Sequence, residues 1–453
     1  MTAENARPTP PGAILLKGGR VVDPMYSRDG MFDVRIENGR FAQIDRDLPR
    51  DDAHVVEVPS SVVVCPGLID IHVHLREPGQ EHKETVATGV QAAVAGGFVG
   101  VACMPNTNPV NDHSGVTELI LQKAAEADLA RAFPIGAVSI GLRGEQLTEI
   151  GELHKAGCVA VSDDGHPIAD ALLMRRALEY ASMFHIPVIN HCEDPSLKGD
   201  GSAHEGYHAA VLGLRGIPGA AESIMVERDV SLSELTEGHV HIAHMSARGS
   251  LRAVRSGKER GIAVTCEVAP HHFILTDGQL SYDTNFKMNP PLRESADRDA
   301  MLEGLVDGSI DVIATDHAPH HADEKAVEFD NAPFGIVGLE TAVPLILDRL
   351  LHPGTLTLSR IIELLAVNPA RVLGLKAGGL TVGAPADITL LAPDRTVDVS
   401  AASFRSKGRN TPFDGWSLRG AVAATIIRGR TVYVNDDVAG IATLGASVWR
   451  EGD

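Results

Sequence analysis

Cysteine is scarce in this chain of 453 residues: Cys65, Cys103, Cys158, Cys192 and Cys266 are odd in number and widely scattered. That spacing excludes a disulfide framework and a CxxC zinc knuckle, and it leaves small, reduced core thiols. Positive charge is also short. The chain has 40 lysines and arginines against 60 aspartates and glutamates, a formal net charge of −20. Such a balance excludes a broad phosphate-binding face, and with it nucleic acid as a partner. No apolar run approaches the roughly 18 residues that would cross a bilayer, so a membrane partner is excluded too. No repeat of about 20 to 50 residues points to a solenoid. The opening MTAENARPTPPG has neither a basic start nor an apolar h-region, so it reads as a short disordered leader and not as a signal peptide. These absences leave a soluble, cytoplasmic protein that handles small molecules, with 44% apolar residues from which to build a large core.

What is present falls into two styles. From Ala13 to Val64 the runs AILLKGGRVVD, FDVRIENGRFAQID and HVVEVPSSVVV are short, β-rich and broken by Gly, Asn and Asp turn signals. The C-terminal runs ADITLLAP and AVAATIIRGRTVYV repeat that style. Residues 1–64 and 376–453 are therefore expected to complete one small β-sandwich domain. Between them, residues 65–375 alternate apolar strands such as VGVACMPN and HVHIAHMS with helical stretches such as VTELILQKAAEADLA. Repeated βα units on this scale predict an α/β fold, a (β/α)8 TIM-type barrel.

Polar and titratable residues gather at the C-terminal ends of the predicted strands: His72 and His74, Asn106, Asp163 and Asp164, His191, His244, His271 and His272, and Asp316. In a barrel those ends converge on the face where chemistry is built. In CPGLIDIHVHLREPG, an extended chain would turn Asp70, His72, His74 and Arg76 to one side. Two imidazoles spaced HxH can share an ion at about 2.0–2.1 Å. With Asp164, His191, His244 and Asp316 from other strand ends they form a candidate metal centre. Histidine and carboxylate ligands without thiolate suit zinc, ahead of manganese or cobalt. A catalytic ion there would activate water and polarise a carbonyl, and Asp316 in ATDHAPH is the natural proton carrier.

The motifs HLREPG, MPNTNP, SDDG, NHCED, HIAHMSA, MNPPLR and ATDHAPH resemble those of the dihydroorotases, of the bacterial type within the amidohydrolase superfamily, over nearly the whole chain. The resemblance implies reversible conversion of N-carbamoyl-L-aspartate to L-dihydroorotate, the third step of pyrimidine synthesis, with one or two zinc ions per chain. It assigns His72 and His74 to a first ion, Asp164 as shared ligand, His191 and His244 to a second position, and Asp316 as ligand and acid/base. It makes Arg76, Asn106, Asn289 and His320, beside His74, the contacts to substrate, with main-chain groups from Phe334 and Gly335. It also implies a homodimer and a complex with aspartate transcarbamoylase.

Many relatives with two metals bridge them with a carbamylated lysine. The strand end CVAVSDDG has none, and Lys155 in the preceding helical stretch should face solvent. Asp163 and Asp164 compete for the inward position, and the spacing of the resembled family favours Asp164, leaving Asp163 to hold the loop. The polar segment 319–335 is a candidate lid. Two other functions would share parts of this pattern: a hydantoinase or allantoinase, usually with the bridging lysine, and a non-catalytic scaffold for aspartate transcarbamoylase, usually without intact ligands.

Overall fold

The structure is a computed structural model that describes residues 12–438. The expected leader lies outside the described residues save for Gly12, as does the end of the C-terminal segment.

Eight parallel strands form a barrel: β1 (Leu68–Val73), β2 (Phe98–Cys103), β3 (Arg131–Gly136), β4 (Ala160–Ser162), β5 (Val188–Asn190), β6 (Val240–Ile242), β7 (Val264–Val268) and β8 (Val312–Ile313). Each pairs in parallel with the next. Between β8 and β1 the ring closes through a single parallel bridge, Val73 with His317, in which the His74 N–H donates to the His317 carbonyl at 2.8 Å. The Asp70 carboxylate tightens this seam by accepting the Thr315 N–H at 3.2 Å.

The strands are short apolar runs buried on both faces, as parallel strands under helices must be. Ile69, Ile71, Ala102, Ile135, Ala160, Ile189, Ala243 and Val312 share one buried cluster. The helices are set by local signals. Thr85 caps Val86–Ala95 in a capping box with Thr88, and Asp170 caps Ala171–Ser182 by accepting the Leu172 and Leu173 N–H groups. In the second helix Leu173, Met174, Ala177, Leu178 and Ala181 form one buried face. Each fully buried Leu or Met there contributes about 1.5–3 kcal/mol.

The two ends of the chain meet in a second, eight-stranded sheet. Its path runs Arg430–Val434, Ser417–Ile427, Ile388–Asp398, Val63–Pro66, Ile14–Asp23, Arg28–Glu37, Arg40–Asp45, with His54–Glu57 alongside Ile14–Asp23. Val63–Pro66 thus joins N-terminal strands to C-terminal ones, pairing with Ile14–Asp23 and Ile388–Asp398. Hydroxyls fasten this sheet to the barrel: Thr389 Oγ1 donates to the Gly97 carbonyl at 2.6 Å and Thr425 Oγ1 to that of Val94 at 2.7 Å. Among the described residues no helix is long and apolar enough to cross a membrane.

Candidate metal centre

His72, His74, Asp164, His191, His244 and Asp316 all lie beyond or at the C-terminal ends of β1, β4, β5, β6 and β8, and all are buried. Asp164 sits at their middle. Its carboxylate lies 3.4 Å from His72 Nε2, 3.5 Å from His74 Nε2, 3.7 Å from His191 Nδ1 and 3.5 Å from His244 Nε2. Asp316 Oδ1 faces His74 Nε2 at 3.3 Å and His72 Nε2 at 3.6 Å. Two three-ligand groups result, His72 with His74 and Asp316, and His72 with Asp164 and His244. His191 belongs to neither, although its Nδ1 stands 2.9 Å from His244 Nε2.

Backbone geometry at these points is unusual. His244 (φ 29), Asp316 (φ 50) and Arg76 (φ 61) are left-handed residues with side chains, a conformation that costs energy and collects at functional sites. The simple alternation expected along β1 also fails. The β1–β2 register shifts between Asp70 and Val73, Asp70 turns to the His72 and Thr315 N–H groups, and Arg76 lies past the strand end.

The fit to a cation rests on unsatisfied atoms. Among the described residues the buried His72 Nε2 and Asp164 Oδ1 have no hydrogen-bond partner. Buried polar atoms left in that state are costly unless something else binds them. Lone pairs from imidazole and carboxylate aimed at one another suit a divalent ion. Burial disfavours the charged carboxylates, yet the surrounding imidazoles, His72 foremost for Asp164 and His74 for Asp316, hold both well below the usual range. Burial likewise opposes the His72 cation, and Asp164 and Glu267 overcome it and raise its pKa. For His74, burial and the Arg76 charge win, and the ring stays neutral.

A residue that strand-end reasoning missed supports the centre from behind. Glu267, inside β7, approaches His72 Nδ1 at 2.6 Å, accepts the His244 N–H at 3.1 Å and meets His241 Nε2 at 3.3 Å. Carboxylates in this position fix which nitrogen of a ligand histidine faces the ion. Glu193 is a second one, 3.5 Å from His191 Nε2 and 2.7 Å from Lys198 Nζ. Asp163 is directed away: its carboxylate accepts the Val138 and Ser139 N–H groups at 2.8 and 3.0 Å. Lys155 is 78% exposed and no closer to a carboxylate than 4.0 Å.

The remaining site residues surround this centre. Asn106 Oδ1 meets His74 Nδ1 at 2.9 Å, and Asn289 Nδ2 donates to Glu193 at 3.1 Å and stands 3.2 Å from His191 Nε2. Arg76 Nε donates to the Pro319 carbonyl at 3.2 Å. His320 Nε2 lies 2.8 Å from the Phe334 carbonyl, which can only accept, so Nε2 carries the proton. Its Nδ1 is then a buried acceptor without a hydrogen-bond partner among the described residues. Burial, then Arg76, pushes His320 down to about 2, so it is neutral. Asn410, unanticipated, holds this corner: its amide donates to the Ala318 and Gly335 carbonyls at 2.9 and 3.0 Å and accepts the His320 N–H at 3.1 Å.

Comparison with known proteins decides the family. The Dihydro-orotase-like family model matches residues 61–250 and the Amidohydrolase family model residues 234–433. A dihydroorotase of Syntrophotalea carbinolica is 52% identical over 421 residues, 93% of this chain and 99% of its own. One from Anaeromyxobacter dehalogenans is 53% identical over 93% of this chain and 98% of its own. The chain belongs to the dihydroorotase family. Within that family's superfamily the fold is shared widely. An L-hydantoinase from Arthrobacter aurescens superposes with a TM-score of 0.83 at 23% identity, covering 94% of this chain and 97% of its own. At that identity the hydantoinase shows the barrel and the added sheet alone. The superfamily is metal-dependent, in keeping with the His and Asp groups found here.

Proposed function

We propose that this chain interconverts N-carbamoyl-L-aspartate and L-dihydroorotate, closing the ring with loss of water and opening it by hydrolysis, in the third step of pyrimidine synthesis. One observation carries the reading: a buried Asp164 carboxylate with four imidazoles 3.4 to 3.7 Å away, in a chain about half identical to dihydroorotases. His72, His74, Asp164, His191, His244 and Asp316 would hold the ion, zinc, one or two per chain. Such an ion, when bound, polarises an amide carbonyl and makes water a nucleophile near neutral pH.

The protein's own groups do the rest. Asp316, kept ionised by its imidazole neighbours, accepts the proton from attacking water and delivers it to the leaving ring nitrogen. The Arg76 guanidinium pairs with the substrate carboxylate in a forked contact. Asn106 and Asn289 offer amides, neutral His320 offers its free Nδ1, and Phe334 and Gly335 offer main-chain groups. In this reading residues 65–375 are the catalytic domain, and the described parts of 1–64 and 376–453 are its β support.

Purified protein assayed with dihydroorotate, hydantoin and allantoin, alongside metal analysis, tests this. Turnover of dihydroorotate with bound zinc is the expected result, and preference for either other ureide would discard it. The proposal extends to a cytoplasmic homodimer able to bind aspartate transcarbamoylase. Five free, buried cysteines and an exposed group of Tyr207, Val211 and Tyr282 support it, and light scattering with co-purification checks it.

A further inference from the structure

Two lysines turn inward at segment 319–335, Lys325 from within it and Lys287 from outside it. Lys325 is 8% exposed and Lys287 3%, although lysine normally keeps its ammonium in water. Among the described residues neither forms an ion pair with a carboxylate; both donate to main-chain carbonyls. Lys325 Nζ reaches those of Pro333 at 2.9 Å and Gly335 at 3.1 Å, and Lys287 Nζ those of Phe329 at 2.7 Å and Asp330 at 3.0 Å. The Lys287 carbonyl in turn accepts the Gly335 N–H at 2.9 Å. The Lys287 ammonium also stands 4.6 Å from the centroid of the Phe334 ring.

The segment therefore points carbonyl oxygens into the protein, and the two ammoniums satisfy them. Burial, then the neighbouring Lys287 charge, pushes Lys325 down to about 7, which shows how poorly this place suits a cation. An apolar filling would hold a loop with less desolvation. What the lysines add is a fixed orientation for Phe334 and Gly335, through directed N–H donors that apolar side chains lack. Gly335 is suited to that orientation: its φ is +118, and a Cβ would lie 2.6 Å from the Ala318 methyl.

We propose that Lys287 and Lys325 are positioning residues that clasp the Phe329–Gly335 main chain in its substrate-binding geometry before the anionic substrate arrives. The inference rests on the dihydroorotase reading, and it makes a fixed seat of the segment whose sequence suggested a moving lid. Lys325→Met and Lys287→Met are each expected to raise KM for carbamoyl aspartate about tenfold or more, with kcat within about threefold and metal content unchanged. Unchanged KM in both variants, or kcat and metal content falling together, would overturn it. Hydrogen exchange on the wild-type metal-loaded enzyme is an independent arm. Amides of 326–335 protected before substrate is added are expected; protection that appears only with dihydroorotate overturns the clasp, even where the variants do not fold. Wild-type protein that fails to turn over dihydroorotate overturns the dihydroorotase reading, while loss of that protection in Lys325→Met still supports the clasp.

Discussion

Glu267 has the same volume as glutamine and a charge that glutamine lacks. Its carboxylate fixes His72 Nδ1 and the His244 main chain, so Glu267→Gln should leave the fold intact and weaken metal affinity about 10- to 100-fold, measured by competition with a chelator. Wild-type affinity would remove Glu267 from the centre. His72→Ala should lower metal occupancy outright, because His72 belongs to both ligand groups. Asp316→Ala should abolish turnover with the metal largely retained, since His72, Asp164 and His244 form a group without it. At this scale the clustering of His72, His74, Asp164, His191, His244 and Asp316 was legible, because strand ends in a barrel must converge. Glu267 was not, because it lies within the run TCEV, where no spacing rule marks it. The signal available was an acid in a strand expected to be buried, which requires a partner. Nothing in the sequence foretells left-handed backbone at Arg76, His244 and Asp316, where no glycine stands.

Among elements, the helix Leu339–Ile346 shows how burial couples to pH. Glu340 in its first turn accepts the Arg405 N–H at 2.9 Å and the Ser406 N–H at 3.1 Å, and burial raises it from 4.5 to about 7. Between those values the folded chain holds a proton that the unfolded chain has released. Glu340 therefore lowers stability as pH rises from about 4.5 towards 7, and its effect is constant above that. Compared with the wild type, Glu340→Gln should gain more in urea midpoint at pH 8 than at pH 5; an equal difference at both would refute this account. The alternation of apolar strands with helical stretches such as VTELILQKAAEADLA could be read from the sequence, and that stretch does contain the helix Ser114–Ala127 save its first residues. The bridge that stands in for longer β8–β1 pairing could not, since β8 has only two residues and the contact comes from His317 beyond it.

Across the whole molecule, the like character of the two ends was visible in composition, and the described strands of both do share one sheet. Their strand order was not, because pairing between residues near 64 and near 390 leaves no local trace. Val63–Pro66 lies between N- and C-terminal strands, so a chain ended at residue 375 loses one whole side of that strand's pairing. It should be insoluble on expression, and a soluble, folded product would show that the barrel stands without its sheet.

Asn410 reaches back to Ala318, His320 and Gly335 from far along the chain. During translation, every barrel strand has left the ribosome before that amide emerges. The corner that carries His320 and Gly335 is thus completed only after every strand of the barrel has been made.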